Sequence, residues 1–497
     1  MTAEAQDQKA EDGGATRAPR RERDAAAEGA EARGRAPFPA RSPEGAASTW
    51  HDLPTRTADL VRRQLARGGR SAREDGGRDL RNLFQSGRLL MLVLLVSAAM
   101  GVAAWAFLKA LELVTGAREA HGALFALLPA VSVATAWLYR NRGLQSRRGN
   151  NLVIDSALAP RLIHARMAVL TFCCSVATHL SGGSAGREGA AVQIGGTIAS
   201  NVSNLAHLDD HDHHDLMLAG ISSAFGAVFG TPLAGAFFGM EMCYVGRLDY
   251  SAALYCLAAS FTGNAVCRAL GIAHEAEAIT AVPAISVGSV AFALAAAVAF
   301  GITARLFAAA IRAVKGFYAT RFKNYLVAAL AGSLVVLAAY ALLGAWRYAG
   351  LSTWMVGAGF RGETGPADPL LKLALTALTL GAGFQGGEVT PLFGIGASLG
   401  GWLGQLAGVN VSWAAALGMI GVFGAALNVP LTTVMMGLDL FGGEAAPYFV
   451  LVAFVAYLVA GHSGVYPAQR IVEPKRRSLA GDVGETVADA LKARKAR

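Results

Sequence analysis

Charged side chains are scarce in this chain. Of its 497 residues only 16% are Asp, Glu, Lys or Arg, whereas 54% are hydrophobic and 59 are glycine. Soluble globular domains carry about 25% charged residues. The composition therefore excludes an ordinary soluble domain and favours a protein embedded in a lipid bilayer.

Cysteine is also rare, and chemical motifs are few. The five cysteines are odd in number and lie in or beside apolar segments, without metal-ligand spacing, so we expect them to be buried small hydrophobic side chains. A membrane-embedded enzyme that uses Glu188 and His179 as acid and base is the alternative from another class. It lacks support, because the sequence has no nucleophile–base pair, metal motif or cofactor motif. We predict no enzymatic activity, no bound metal and no cofactor, with His179 as a capping or packing residue.

Long apolar runs stand in the place of the missing charge. Runs that begin at Leu89, Ala123, Ser286, Tyr325 and Tyr448 approach or reach the roughly 20 residues that span the hydrocarbon of a bilayer. Other apolar segments are broken by Gly and Pro, which membrane folds tolerate only against protein or a water-filled cavity. The sequence therefore predicts an all-α polytopic membrane protein.

The charge that is present lies outside these runs. Residues 1–87 are rich in Ala, Arg, Glu and Gly and have few apolar clusters, which predicts a disordered arm. The arm lacks the short apolar core of a signal peptide. We divide the remainder into a first membrane repeat over 88–285, a second over 286–470 and a charged tail over 471–497.

Basic clusters predict the orientation of the chain. They lie at 140–148, 321–324 and 473–478. The positive-inside rule places such loops, and with them both termini, in the cytoplasm. We therefore predict a multi-pass protein of the bacterial plasma membrane. We expect no nucleic-acid partner, since a solvated arm beside the membrane accounts for the basic charge.

The two halves of the chain resemble each other. "AFGAVFGTPLAGAFFGMEM" (224–242) matches "VFGAALNVPLTTVMMGLDL" (422–440), so that Pro232 aligns with Pro430 and Glu241 with Asp439. Upstream, "GREGAAVQIGG" (186–196) matches "GEVTPLFGIGA" (387–397) at nearly the same offset. Two independent matches in register indicate a duplicated half.

Paired segments interrupted by Gly and Pro at corresponding positions of two halves are typical of a transport site near the membrane midplane. A helix that begins inside the membrane leaves its first N–H groups without intrahelical partners. Those donors and the positive end of the helix dipole suit an anion. We predict such helix starts near Gly186, Gly387, Pro232 and Pro430.

Glu188 lies at one of these predicted starts. Its carboxylate is a tethered anion at the place where a free anion would bind. When ionised it would occupy the site, and when protonated it would leave, which would couple anion movement to proton movement. The alternative is a Glu that only satisfies helix-start donors. Because ionisable residues inside a membrane are functional by default, we favour coupling. The adjacent Arg187 is predicted to be a structural partner of a carboxylate or of backbone carbonyls.

The motifs GREG, VQIGG, GGEVTP, TPLAG and VPLTT, in this order, resemble those of the CLC family of anion channels and proton-coupled anion antiporters. The resemblance runs from about residue 88 to about residue 470 and implies an inverted-repeat bundle of tilted and broken helices. It also implies a homodimer with one pore per subunit, and Glu188 as the gating glutamate.

The same resemblance implies an anion-binding set beside Glu188. Its members are Asn150, Gly186, Arg187, Gly189, Val389, Thr390 and Tyr466. Val389 and Thr390 would offer backbone N–H groups, and the hydroxyl of Tyr466 would meet the central anion. Without the resemblance, Tyr466 would be an interfacial belt tyrosine.

Departures from the chloride-type pattern narrow the resemblance. Asn150 stands where those members have a chloride-coordinating Ser, and Ala190 where the chloride/proton exchangers have Pro. Met242 aligns with their inner proton-transfer glutamate, although Glu241 remains next to it. Glu388 stands where they have an apolar residue. With these features the chain resembles the fluoride-exporting branch, the CLC-F fluoride/proton antiporters.

Fluoride is small and tightly hydrated, so its removal from water needs good replacement donors. An Asn amide offers two N–H donors where Ser offers one hydroxyl, and a protonated Glu388 could donate as well. Glu188 and Glu388 would then share the proton route that the missing inner glutamate leaves open. Glu388 as a mere helix-start residue is the alternative. The leading prediction is a proton-coupled fluoride antiporter that exports fluoride. Its alternative is a chloride/proton antiporter or chloride channel of the same fold.

"HLDDHDHHD" (207–215) contains potential metal ligands. It lies between two predicted helices, and its Asp-rich end precedes an apolar helix. We therefore favour a helix N-cap and a solvated turn over a metal site.

Overall fold

A computed structural model describes residues 53–274 and 277–496, and internal contacts divide the chain into two units, residues 1–79 and 80–497. The arm predicted to be disordered lies outside the described residues as far as residue 52. From Leu53 onward the chain is helical, which differs from the disorder predicted there. Ala, Leu and Arg in this stretch are strong helix formers, and their propensity favours a helix even where apolar clusters are scarce.

The described residues are almost entirely helical. In chain order the α-helices are α1 Leu53–Ala120, α2 Leu128–Asn141, α3 Asn150–Leu158, α4 Arg166–Leu180, α5 Glu188–Leu205, α6 Asp210–Phe229, α7 Pro232–Glu241, α8 Ala253–Ala269, α9 Val287–Arg321, α10 Tyr325–Leu343, α11 Trp354–Arg361, α12 Ala367–Gly381, α13 Val389–Ala407, α14 Val411–Leu427, α15 Pro430–Phe441, α16 Ala446–Ala460 and α17 Val487–Ala496. Short 3-10 helices cover Gly122–Leu127, Leu144–Arg148, Trp346–Tyr348 and Arg477–Asp482. The strands β1 (Tyr244–Val245) and β2 (Arg470–Ile471) form a parallel pair.

Four segments of the described chain are long and apolar enough to cross a membrane: Gln85–Ala120, Gly122–Asn141, Val287–Arg321 and Tyr325–Leu343. Large apolar side chains on them are exposed, among them Leu95, Leu306 and Leu342. In water such exposure would be costly, whereas a bilayer accepts it. The all-α polytopic membrane fold predicted from the sequence is confirmed.

Shorter helices fill the interior, and they belong to the repeated segments. In the first half α5 packs on α6 and α6 on α7, while in the second half α13 packs on α14 and α14 on α15. The two halves meet between α7 and α15. Phe225 and Phe423, which occupy matching positions of the repeat, approach each other with ring centroids 6.0 Å apart.

The same turn between two helices occurs in both halves of the repeat. α6 ends at Gly230 (φ 74°) and α14 ends at Asn428 (φ 64°), both in the left-handed conformation that Gly and Asn adopt at helix C-termini. Two residues later, Pro232 and Pro430 begin the next helices, where a missing N–H costs little. The predicted helix starts at both prolines are confirmed.

The segment predicted to be a charged tail is folded against the rest. β2 pairs with β1, Val487 and Ala490 are buried, and Nζ of the buried Lys475 donates to the carbonyl oxygen of Tyr457 at 3.1 Å. This folded segment comes directly after the loop that carries Tyr466 in the chain. Of the five cysteines four are buried as expected, whereas Cys173 is exposed because it lies on an outward face of α4.

Candidate functional site

Two helix starts, one from each half, are joined directly by their backbones. The N–H of Gly186 donates to the carbonyl oxygen of Gly387 (2.6 Å), and the N–H of Gly387 donates to that of Gly186 (2.7 Å). A Cβ added to Gly387 would lie 2.5 Å from the backbone nitrogen of Gly189. Only glycine fits so close a backbone approach. The predicted starts near Gly186 and Gly387 are confirmed, because α5 begins at Glu188 and α13 at Val389.

The carboxylate of Glu188 reaches from its own helix to the start of the other half's helix. Its Oε2 accepts from the N–H of Thr390 at 3.0 Å, and the hydroxyl of Thr390 donates to Oε1. The side chain is 1% exposed. The carboxylate of Glu188 thus lies at the N-terminus of α13, where free N–H groups and the helix dipole favour negative charge.

Arg187 completes this contact set. Its backbone N–H donates to Oε2 of Glu188 at 3.1 Å, and its Nε lies 3.3 Å from Oε1. Arg187 is therefore the partner of a carboxylate, as the sequence predicted. The arrangement compensates the buried negative charge with two backbone donors, one hydroxyl and one guanidinium.

Two cavities are lined by neighbours of Glu188. The first, of about 1310 Å³, is lined by Arg187 and Thr390, and we name it the outer cavity. The second, of about 480 Å³, is lined by Asn150, Glu388 and Tyr466 among others, and we name it the inner cavity. Glu188 lines neither cavity, although its neighbours line one or the other. The Glu188 carboxylate therefore lies beside residues of the outer cavity, with which it bonds, and its own neighbour in sequence, Gly189, leaves room for those of the inner one.

The inner cavity gathers three polar side chains that the sequence singled out. Oδ1 of Asn150, Oε2 of Glu388 and the hydroxyl of Tyr466 are buried, and none of the three has a hydrogen-bond partner among the described residues. A Cβ added to Gly189 would lie 3.0 Å from Nδ2 of Asn150 and 3.1 Å from Oε2 of Glu388. Gly189 thus leaves room for these two groups to converge, and unpaired buried polar atoms of this kind call for a ligand or water.

Helix starts position two of these three groups. Asn150 begins α3, after Gly149 in a positive-φ conformation (φ 55°). Glu388 is the residue before α13, and Val389, as the first residue of that helix, has an N–H without an intrahelical partner. Tyr466 lies on the loop after α16 and is 1% exposed. The structure brings all residues of the predicted set to the facing ends of α3, α5 and α13 or to the adjoining loop.

Gln193 is a lining residue that the sequence analysis missed. It lies on α5, lines the inner cavity, and accepts from the hydroxyl of Thr171 at 2.9 Å. The hydroxyl of Tyr139 lies 3.2 Å from that of Thr171, which extends a buried polar chain away from the cavity. The available signal was an amide side chain within the small and apolar first half of the helix, AAVQIGG.

Lys372 is a second missed residue. It lies on α12 and is fully buried, and its ammonium group donates to Ser184 Oγ (3.0 Å), Ser352 Oγ (2.9 Å), the Gly350 carbonyl (2.7 Å) and the Tyr348 carbonyl (3.1 Å). The segment of Ser184 leads directly into Glu188. Lys372 therefore anchors the backbone that carries the carboxylate.

Glu241, the acid next to the aligned inner position, lies elsewhere. Its carboxylate accepts from the N–H groups of Leu431 (3.1 Å) and Thr432 (2.9 Å) at the start of α15. Met242 is packed in the core. His179 has Nδ1 at 2.8 Å from the Ser175 carbonyl and Nε2 at 3.2 Å from the Ala185 carbonyl, as a capping or packing residue would.

The His/Asp segment 207–215 starts α6. The side chain of Asp209 accepts from the N–H of Asp212 at 2.9 Å, which confirms the predicted N-cap. His213 lies 2.8 Å from the Ser203 hydroxyl, and His214 lies 3.0 Å from Asp249. In the described ranges no three His, Cys, Asp or Glu side chains are grouped closely enough to hold a metal ion.

The sequence of this chain is similar to a known protein family and to a bacterial relative. Residues 131–461 match the family model described as voltage gated chloride channel. A "chloride/fluoride channel protein" of Pseudomonas syringae pv. tomato is 37% identical over 393 residues, which are 78% of this chain and 87% of the relative.

Solved structures are similar as well. The crystal structure of a CLC-type fluoride/proton antiporter superposes with a TM-score of 0.76 at 34% identity, over 78% of this chain and 99% of that one. A slow cyanobacterial Cl⁻/H⁺ antiporter shares the fold with a TM-score of 0.65 at 17% identity, over 82% of this chain and 98% of that one.

Proposed function

The chain belongs to the voltage-gated chloride channel (CLC) family, and we propose that it exports fluoride from the cytoplasm in exchange for protons. The observation that carries the proposal is the position of Glu188. Its carboxylate is held by Thr390 and Arg187 at the start of α13, and its neighbours line the two cavities. A single group that occupies the place of an anion and that also binds a proton links the two movements.

The proposed exchange has two alternating states of Glu188. When ionised, the carboxylate occupies the N-terminus of α13 and keeps fluoride out. Protonation removes its negative charge, and with it the attraction of Arg187 and of the helix dipole, so that fluoride can displace the side chain. Return of the carboxylate after loss of its proton expels the anion and resets the site.

Selectivity for fluoride is proposed to come from the inner cavity. The amide of Asn150 and the hydroxyl of Tyr466 can donate to an anion there, and Glu388 can donate when it carries a proton. The Tyr466 hydroxyl and Oε2 of Glu388, which have no hydrogen-bond partner among the described residues, support this role. So do the similar antiporter, which is described as exchanging fluoride and protons, and the bacterial relative, which is named for fluoride as well as chloride.

A chloride/proton antiporter or chloride channel of the same fold is the second candidate. The name of the bacterial relative, which includes chloride, and the description of the family model favour it. It would use Glu188 in the same way. The difference would lie in the inner cavity, where Asn150 and Glu388 would then only complete helix starts.

The oligomeric state and the membrane orientation of the protein are also part of the proposal. We expect a homodimer with one pathway per subunit in the bacterial plasma membrane, with both termini in the cytoplasm. The basic loops at 140–148 and 321–324 supply residues to the inner cavity, which supports a cytoplasmic position for that cavity.

Flux through proteoliposomes tests the proposal. Vesicles loaded with fluoride or with chloride are opened to efflux while the external pH is recorded. We expect fluoride efflux well above chloride efflux, with stoichiometric uptake of protons into the vesicles. Chloride efflux at an equal or greater rate would keep Glu188 as the gate but would refute fluoride selectivity. Fluoride efflux without proton uptake would refute the exchange.

A further inference from the structure

The two cavities differ in the charge of their linings. The inner cavity is lined by five cationic side chains and one carboxylate. The cations are Arg147, Arg148, Arg312, Lys315 and Lys323, and the carboxylate is that of Glu388. The lining of this cavity is therefore strongly positive.

The lining of the outer cavity has more acidic than basic side chains. Its lining contains four glutamates and three arginines: Glu112, Glu119, Glu277, Glu363, Arg187, Arg347 and Arg361. Each of the three arginines is in an ion pair, with Glu188, Asp368 and Glu363 respectively. Of the glutamates, Glu112, Glu119 and Glu363 are paired as well, so the acidic excess of the described lining is the charge of Glu277. Little positive charge is therefore available to an anion on this side.

Most cations of the inner cavity are engaged in holding the structure. Arg148 pairs with Asp155, and the guanidinium of Arg147 lies 3.9 Å from the ring centroid of Tyr325. Arg312 donates to the carbonyl oxygen of Gly464 at 2.9 Å and so fixes the loop of Tyr466.

Lys315 and Lys323 differ from these three. Both are exposed, and neither belongs to a salt bridge within the described part of the chain. Lys323 follows α9. Lys315 lies on α9, and both lysines line the same cavity as Glu388, but only Lys315 is close enough to Glu388 for its charge to act on that carboxylate.

We propose that the inner cavity is a collecting site for small anions, with Lys315 as its principal charge, and that the acidic outer cavity releases fluoride and gathers protons. The inference rests on the proposed function and adds the site at which fluoride is first captured. Charges of one sign in a cleft with low-dielectric walls focus the field and raise the local concentration of counter-ions. The Debye length of about 8 Å at physiological ionic strength is comparable to the size of such a cavity, so the effect depends on salt.

The exposure of Lys315 suits capture rather than tight binding. A hydrated ammonium attracts fluoride without removing its water, so the anion can move on toward Asn150 and Glu188. Dehydration is left to the deeper donors. The opposite charges of the two linings would thus favour entry of fluoride from the inner cavity and its release from the outer one.

The test compares Lys315→Gln with Lys492→Gln in the full chain. Lys492 is an exposed lysine on α17, paired with Asp489, and it lines neither cavity. Inside-out membrane vesicles present the cytoplasmic face to sodium fluoride in the bath, and initial rates give KM and kcat for fluoride-driven proton movement. Right-side-out vesicles give the same constants from the other face.

For fluoride applied to the cytoplasmic face we expect Lys315→Gln to raise KM about threefold, with kcat changed by less than about 1.5-fold. Lys492→Gln should match the native protein, and Lys315→Arg should restore KM. The native KM on this face should also rise with the ionic strength of an impermeant salt, and Lys315→Gln should flatten that rise.

The outcomes separate the two proposals. If the native protein exchanges fluoride for protons but Lys315→Gln leaves KM unchanged, the collecting site is refuted and the antiport stands. If the native protein moves no protons with fluoride, both fail. Should Lys315→Gln not fold, the native protein decides alone, because a KM independent of ionic strength on the cytoplasmic face refutes the collecting site.

Discussion

Glu241 and Asp439 cap each other's helices. The carboxylate of Glu241, at the end of α7, accepts from the N–H of Thr432 (2.9 Å) at the start of α15. The carboxylate of Asp439, near the end of α15, accepts from the N–H of Ala234 (2.8 Å) at the start of α7. The two acids occupy matching positions of the repeat, so the duplication has produced a reciprocal pair of N-caps between the halves.

This relationship assigns Glu241 a structural role, and Glu241→Gln tests it. The variant keeps one carbonyl oxygen as an acceptor but loses the charge that suits a helix N-terminus. We expect a stability loss of about 1 kcal/mol, as for other N-caps, in thermal unfolding of the detergent-solubilised protein. The ratio of protons to fluoride transported should stay unchanged.

Two controls accompany this variant. Asp439→Asn should destabilise to a similar degree, whereas Glu444→Gln, at an exposed position, should not. A loss of proton coupling in Glu241→Gln at normal stability would instead make Glu241 a proton carrier.

The backbone pairing of Gly186 with Gly387 gives a second prediction. In Gly387→Ala the added Cβ would meet the backbone nitrogens of Gly189 (2.5 Å) and Glu188 (3.0 Å), which cannot move aside as a flexible side chain can. We expect destabilisation of about 2 kcal/mol or more, typical of overpacking, together with loss of transport. Thermal unfolding and liposome flux measure the two effects.

Gly316→Ala is the matched control for this substitution. A Cβ at this position on α9 meets nothing within 4 Å, so the variant should be as stable as the native protein or slightly more stable. Equal behaviour of Gly316→Ala and Gly387→Ala would refute the close approach at the junction of the two helix starts.

The sequence predicted those features of the site that local patterns encode. The duplicated Gly-rich segments located the starts of α5 and α13, and the charge of Glu188 at one of them indicated a tethered anion. The alignment of Glu241 with Asp439 was visible too. The reciprocal capping by these two acids was not visible in the sequence. It depends on the packing of α7 against α15, with the end of each helix at the start of the other, and residue spacing along the chain does not encode this packing.

The role of Lys372 could not be predicted from the sequence for a different reason. In "LKLALTALTL" it is one cation in an apolar helix, and its acceptors come from two separate loops, near Ser184 and near Gly350. Burial with full hydrogen bonding is a tertiary property. The packing of residues 471–497 was missed for the same reason, since their charged composition indicated solvent while β2 and α17 lie against the rest of the chain.

Lys372→Met is therefore the third prediction. The variant keeps most of the side-chain volume but leaves the carbonyl oxygens of Tyr348 and Gly350 and two serine hydroxyls without their donor. Buried acceptors that lose their partner cost about 1–3 kcal/mol each. We expect a loss of roughly 3 kcal/mol in total, since the loops can relax in part, and a slower exchange because the segment before Glu188 loses its anchor.

Lys109→Met serves as the comparison for Lys372→Met. Lys109 is an exposed lysine whose only ion pair among the described residues is with Glu112, so its loss should change stability by less than about 0.5 kcal/mol. If both variants unfold at the same temperature as the native protein, the anchoring role of Lys372 is wrong.

Glu188→Gln addresses the coupling itself. The amide still fits beside Thr390, but it neither ionises nor carries a transferable proton. We expect proton uptake during fluoride efflux to fall at least about tenfold, while any remaining fluoride movement becomes passive. Simultaneous recording of fluoride and pH in liposomes measures both. The exposed Glu485→Gln should behave as native, and a Glu188→Gln protein that still pumps protons with the anion would falsify the coupling mechanism.

The last prediction concerns the choice between fluoride and chloride. Asn150 lies at the start of α3 with Oδ1 unpaired among the described residues, close to Gly189 and in the same cavity as Glu388 and Tyr466. Asn150→Ser replaces an amide with two N–H donors by one hydroxyl and enlarges the cavity slightly. Fluoride, which needs more donors to replace its tightly held water, should lose more than chloride does.

The two anions give this experiment its internal control. A variant that is merely damaged lowers both efflux rates together and leaves their ratio unchanged. A change in the ratio requires that Asn150 contributes differently to the two anions at the site. We expect Asn150→Ser to lower the fluoride-to-chloride ratio about tenfold, which corresponds to one lost hydrogen bond of about 1.4 kcal/mol.

Tyr466→Phe, which removes a donor that the chloride-type pattern also has, should slow both anions and change the ratio far less. The opposite pattern, in which Tyr466→Phe changes the ratio and Asn150→Ser does not, would move the selectivity from the amide to the hydroxyl.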